Sequence, residues 1–208
     1  VKKLPLSIFI LLIALSLNQL EQVTNILLIS LCLLLTTYSV YSLYLLSSRK
    51  RKIKDLTVYF WRMALMCLII VACLLVVNQI FTFDSFVSNQ LHIVLGVIAI
   101  YGFIISVIIG MLQKIIPFLI YLHLQRQCMS RYELLPSLPN MREIISEKQS
   151  SWQFRFHLAA LLLLTVSIFT PALVTIAGLA MLVDFLWLSV CMAMASRLYY
   201  QHTKRISH

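Results

Sequence analysis

Six apolar runs, each near the length that crosses a bilayer, constrain this chain more than any single residue in it. They fall at roughly 4–20, 24–46, 56–80, 91–112, 154–170 and 172–195. A helix that spans hydrocarbon needs about 20 predominantly apolar residues, with a range of ~17–25. Hydrocarbon offers backbone N–H and C=O groups no partner, so such runs must close their hydrogen bonds internally, as helices. The expected fold is therefore all-α: a polytopic transmembrane helical bundle of about six helices, forming one membrane domain over residues 1–208. Composition agrees. Of 208 residues 61% are hydrophobic and 12% charged, whereas a soluble domain carries about a quarter charged.

The formal charge of +10 is explained by where the cations stand. Lys2 and Lys3 open the chain, and Arg49, Lys50, Arg51, Lys52 and Lys54 follow the second run. Arg126, Arg131, Arg142 and Lys148 lie between the fourth run and the fifth, Arg155 stands at the start of the fifth, and Arg197, Lys204 and Arg205 follow the sixth. The alternate connections 18–25, 78–91 and 170–172 contain no Lys or Arg. Such segregation is the positive-inside pattern, so the charge sets orientation. It implies a multi-pass membrane protein with both termini cytoplasmic and the lipid bilayer, not nucleic acid, as its partner.

The opening VKKLPLSIFILLIALSLNQ has the charged and apolar parts of a signal peptide but no small-residue cleavage site after them, and is expected to stay as a short first helix. The chain begins on Val, so a fragment of a longer protein and a non-Met start are both open. The five cysteines (Cys32, Cys67, Cys73, Cys128, Cys191) show no CxxC spacing, so neither a disulfide framework nor a zinc site is expected. In the cytoplasmic loop 125–152, Pro136 and Pro139 keep the middle extended, and Asn140 is placed to cap a short helix from Met141 to Lys148. Tyr38, Tyr41 and Tyr44 read as an inner aromatic belt.

In the fourth run, steps of four and three pick out His92, Gly96, Ala99, Phe103, Ser106, Gly110, Gln113 and Pro117. This stripe is mostly small or polar. In lipid, where no hydrophobic force drives helices together, small residues let backbones approach closely. The expectation is a packing seam (Gly96, Ala99, Ser106, Gly110, Gln113) against protein, or a face for a flat cofactor. Pro117 removes a backbone donor, so the helix is expected to kink or end near residue 116, with Lys114 snorkelling to the inner headgroups.

Ionisable side chains within the bilayer are functional hypotheses by default. Asp184 lies near the middle of the sixth run, on a face with Ala177, Met181 and Cys191. A carboxyl there is either hydrogen-bonded to a neighbouring helix as structural glue or part of a proton or ion path. Arg62, two turns above Asp55, either snorkels inward or makes a salt bridge or a contact with a haem propionate. His92, His123 and His157 are the histidines near the membrane. His92 and His123 stand more than 40 Å apart at ~1.5 Å per residue along a straight helix and cannot share one haem. His123 and His157 fall at a similar inner depth, so they either bracket a haem iron or sit singly among headgroups. No G-x-S-x-G, HExxH or phosphate loop is present, so no hydrolytic constellation is visible.

The stretch LHIVLGVIAIYGFIISVIIGMLQKIIPFL resembles a histidine-bearing helix of haem-copper oxidase subunit I. More specifically, GMLQKIIPFLIYLHLQ, LPNMREII and QFRFHLAALLLL are similar to the C-terminal half of uncharacterised bacterial membrane proteins related to that superfamily, over roughly residues 55–200. The resemblance implies haem as cofactor, a ligand role for His92, and a respiratory or assembly subunit. Position 90 is Gln where the oxidase pattern has a second histidine, and copper-ligand histidines are missing, so the implied protein is not a stand-alone oxidase. The other readings are a small transporter or channel, motivated by Asp184, and a non-catalytic scaffold pairing through the glycine seam with another membrane protein or its own copy.

Overall fold

The computed structural model describes residues 4–17, 21–49, 56–81, 83–128 and 138–207. The chain is all-α, and among the described residues there is no strand. The helices are α1 (Leu4–Leu17), α2 (Glu21–Ser47), α3 (Leu56–Ile80), α4 (Ser85–Val97), a π-helical segment (Ile98–Ile105), α5 (Ser106–Gln127), the short α6 (Met141–Ile144), α7 (Glu147–Ser167), a 3-10 turn (Pro171–Leu173) and α8 (Val174–Ser207). Val23–Ser47, Leu56–Ile80, Ser85–Gln127 and Pro171–Lys204 are long and apolar enough to cross a membrane. α1 is apolar but shorter, and α7 carries Glu147, Lys148, Gln149, Gln153, Arg155 and His157 in its first half.

The fourth helix is longer than hydropathy suggests. It runs 43 residues from Ser85 to Gln127 and continues through Pro117. A bundle tolerates proline in this way when neighbouring groups absorb the lost hydrogen bond. Its buried face also departs from the expected stripe. From Ser106 onward the buried residues are Ser106, Gly110, Gln113 and Pro117 of the stripe, joined by Ile109 and Leu124. Before Ser106 the buried residues are Val94, Leu95, Ile98, Tyr101 and Gly102, one position behind Gly96, Ala99 and Phe103, which are only half-buried; His92 is exposed. The π segment accounts for the shift. Its i→i+5 bonding takes up an extra residue, so a 3.6-residue period cannot be carried through it. A Cβ at Gly96 would meet nothing within 4 Å. Gly96→Leu is therefore expected to leave the thermal midpoint in detergent unchanged or raised, because glycine inside a helix is about 0.5–1 kcal/mol less favourable than alanine. A fall of several degrees would contradict this placement.

Asn140 caps α6 through a reciprocal box with Glu143, but α6 stops at Ile144 instead of reaching Lys148. Ser146 opens a new helix: its hydroxyl accepts from the Gln149 backbone N–H, and its own N–H donates to the Gln149 side chain. Two capping boxes six residues apart divide what reads as one helix. Lys148 thus belongs to α7, which starts seven residues before the expected boundary of 154. Arg131 and Pro136 lie outside the described residues.

The chain divides into two compact units: the described part of Val1–Ile53 with Trp61–Ile105, and the described part of Lys54–Phe60 with Ser106–His208. In the first, Leu31, Cys32, Ala64, Leu65, Leu68 and Ala72 are buried. The side-chain amide of Gln79 donates to Asn25 Oδ1, joining the end of α3 to the start of α2. An open apolar groove of about 950 Å³ is lined by Cys32, Thr36, Tyr41, Tyr44, Cys73 and Val76, among others. Two tyrosines of the expected aromatic belt thus line it. All five cysteines are free thiols.

In the second unit two levels fix the directions of the helices. Ser106, His157 and Asp184 meet at one level. At the other, Ile144, Ile145 and Ala195 form an apolar cluster with Ile116, Ile120, Tyr121 and Met192. α5 and α8 therefore run from the first level to the second, and α7 runs back. The buried face of α8 repeats every seven residues at Ala177, Asp184 and Cys191, as its sequence stripe suggests.

Candidate functional site

Asp184 is fully buried on α8, and so is His157 on α7. His157 Nδ1 lies 2.7 Å from Asp184 Oδ2, and its Nε2 lies 2.9 Å from Ser106 Oγ, also fully buried. The second carboxyl oxygen is held by Gln153, one helical turn before His157: its Nε2 donates to Asp184 Oδ1 at 2.6 Å and to the Asp184 carbonyl at 3.1 Å. Four polar side chains from three helices thus form one hydrogen-bonded chain, Ser106–His157–Asp184–Gln153. Around it the packing is apolar and aromatic. Phe60, fully buried at the start of α3, has its ring 5.9 Å from that of His157 and meets Phe154 edge-on at 5.1 Å.

The protons follow from the chemistry of the groups. With His157 neutral, Nδ1–H donates to the Asp184 carboxylate and Nε2 accepts from the Ser106 hydroxyl, leaving the cluster with one negative charge. One added proton goes to Nε2. The imidazolium then donates to both neighbours, the Ser106 hydroxyl turns to another acceptor, and the cluster is neutral overall. The same side chains thus accommodate either proton count with both nitrogens of His157 engaged.

Serine, histidine and aspartate are connected here in the order that activates a serine nucleophile. Nucleophilic attack needs a carbonyl carbon near Oγ, and Ser106 has no exposed surface. Its geometry suits a proton relay better than acyl transfer.

Of the expected site residues, the structure brings together Asp184, His157 and Ser106, and adds Gln153. Gly110 borders the cluster through Phe60: a Cβ built on it would stand 3.0 Å from Phe60 Cβ. Gln113 is buried further along α5. Arg62 and His92 are exposed, and Asp55 lies outside the described residues. His123 is exposed and meets Tyr199 edge-on at 5.5 Å. Because Ser106 touches His157, the 17 residues of α5 between Ser106 and His123 put the two histidines roughly 25 Å apart at 1.5 Å per residue. They do not bracket one iron. Nor does His157 fit an axial ligand, since both of its nitrogens are engaged. Among the described residues no group of three or more His, Cys, Asp or Glu side chains is placed to hold a metal ion.

Gln153 is the member that sequence reasoning missed. The usable signal was its i, i+4 spacing to His157, which puts both on one face of a helix. No family model, curated protein or solved structure matches this chain.

Proposed function

We propose that this is an integral membrane protein of the transporter class, whose working centre binds one proton at Ser106–His157–Asp184 and links its binding to helix movement. The single observation that carries the reading is the contact of both His157 nitrogens, one with Asp184 and one with Ser106, with all three side chains fully buried. Intramembrane titratable pairs of this kind mark ion and proton pathways, and three separate helices contribute to this one, so a change of proton occupancy acts on their packing. The segregation of Lys and Arg supports a bacterial inner membrane as its location. Infrared difference spectra of the purified protein between acid and alkaline buffer test the proposal. The wild type is expected to show paired imidazole and carboxyl bands that disappear together in His157→Gln. Bands that survive this substitution would remove the centre from consideration.

A second reading rests on His92 and Gly96. His92 is exposed on α4, and Gly96, one turn on, has open space at its Cβ position. Such a face suits a flat macrocycle or a partner helix, in keeping with the resemblance to haem-copper oxidase subunit I. A reduced-minus-oxidised spectrum after haem-replete expression tests it: a Soret band lost in His92→Ala is the expected outcome, and a flat trace ends this reading.

A further inference from the structure

We infer that the proton centre exchanges with one side of the membrane only, the side onto which the α6–α7 junction opens. This rests on the proton-binding reading above. The interior on the two sides of the centre differs in kind. Toward the junction, between the level of Ser106, His157 and Asp184 and that of Ile144 and Ile145, the buried residues include Gln113, Ser150 and Gln153. Toward the other end of α7 the buried residues of that helix are Ala160 and Leu161, then Ser167, whose hydroxyl is engaged by the Leu164 carbonyl. On α8 the matching residue is Ala177.

Two acceptors on the junction side carry the argument. Gln153 Oε1 and Gln113 Oε1 are buried and have no protein partner. The Gln153 amide cannot be turned round to cure this, because its Nε2 faces two oxygens of Asp184. A buried acceptor left dry is destabilising, whereas a water molecule with two to four polar partners satisfies it. Along their helices Gln113 and Gln153 both stand on the junction side of Ser106 and His157. Water entering from that side therefore reaches the Gln153 amide, and through it the carboxylate of Asp184. In the other direction, along α7 and α8 of this unit, the buried residues are Ala160, Leu161, Ser167 and Ala177, and the Ser167 hydroxyl already donates to the Leu164 carbonyl. Beyond Gln113 and Ser150 the Ile144–Ile145–Ala195 cluster forms an apolar seal that must loosen for exchange. A centre reached from one end binds and releases its proton by the same route, which suits coupling and not conduction.

Single cysteines placed in the full-length protein in proteoliposomes test this, with a membrane-impermeant methanethiosulfonate as probe and peptide mass spectrometry to locate the label. Glu147→Cys, on an exposed position, reports which face the reagent has reached. Applied from that face, the reagent is expected to modify Gln113→Cys and Ser150→Cys about tenfold faster than Leu161→Cys or Ala177→Cys, because only a hydrated thiol ionises to the reactive thiolate. Ile145→Ala is expected to raise the first two rates further. Equal rates at all four positions would overturn one-sided access, and so would silence at positions 113 and 150 even with Ile145→Ala. Ser150→Cys is nearly isosteric, so that arm does not depend on tolerance of a larger change. Infrared bands that still depend on His157 while labelling fails would defeat the access path alone. Loss of that dependence would defeat the proton centre beneath it.

Discussion

Asp184→Ala is expected to lower the unfolding free energy in detergent by about 3 kcal/mol, through loss of buried hydrogen bonds. Two scales bear on this figure. Removing one partner of a buried charge pair in a soluble protein costs about 3–5 kcal/mol. Interhelical hydrogen bonds in a membrane protein average about 0.6 kcal/mol with a maximum near 1.7, because the unfolded chain in lipid also finds partners. Asp184 accepts from both Gln153 and His157, so its loss removes two such bonds and strands two donors in a fully buried place. Two bonds at the upper membrane value reach the bottom of the soluble range, and the estimate sits there. Asp184→Asn keeps one acceptor for His157 and opposes Gln153 with a second NH₂ group, so its cost is expected to be smaller, about 1 kcal/mol. The pair His157→Leu with Asp184→Leu removes both sides of the contact and is expected to be more stable than either single change, since a half-satisfied polar cluster is worse than an apolar one. Denaturation by sodium dodecyl sulfate, followed by circular dichroism, measures all five variants. An Asp184→Ala curve that overlies the wild type would mean that the cluster does not hold these helices together.

The helical architecture was legible because lipid imposes it: apolar runs of spanning length have no alternative to intrahelical hydrogen bonding. Asp184 could be singled out for the same reason, as a carboxyl in the middle of such a run. Its partner could not. A spacing of 27 residues between His157 and Asp184 has no helical meaning across two helices, and their pairing depends on how α7 packs against α8. His157 was placed among headgroups because α7 was expected to begin at 154. The capping box at Ser146 moves the start to Glu147 and carries His157 well into the helix. Serine followed three residues later by glutamine is a readable signal, so this displacement was within reach of the sequence. The π segment was not. A period of 3.6 residues is a sound assumption until a helix breaks it, and IAIYGFII contains nothing that announces the extra residue. The buried face therefore coincides with the stripe from Ser106 onward and lies one residue behind it before that.

Gly110 is the position where steric complementarity near the centre is tightest, and Gly110→Leu is expected to cost about 3 kcal/mol, the upper end for overpacking a well-filled core. A Cβ at this position would stand 3.0 Å from Phe60 Cβ, and 3.7 Å from both Phe60 Cγ and the Thr57 carbonyl oxygen. Phe60 Cβ is attached directly to the α3 backbone, so it cannot swing aside as the tip of a long side chain would. Its ring is confined as well, edge-on to Phe154 and beside His157. Gly110→Ala sets this crowding against a gain in helix propensity of about 1 kcal/mol, and the two are expected nearly to cancel. Leucine brings three further carbons with no further propensity to offset them. If contact with Phe60 is the cause, Phe60→Ala should relieve it. That change alone costs about 3–5 kcal/mol through the cavity it leaves, but combined with Gly110→Leu the total is expected to fall short of the sum by 1–2 kcal/mol, a coupling typical of residues in contact. Additive costs in this cycle would show that the two side chains do not meet. The same crowding reaches the proton centre, because the Phe60 ring lies beside that of His157. Gly110→Leu protein that still folds should then show altered imidazole bands, while Gly96→Leu, which meets open space, should leave them as they are.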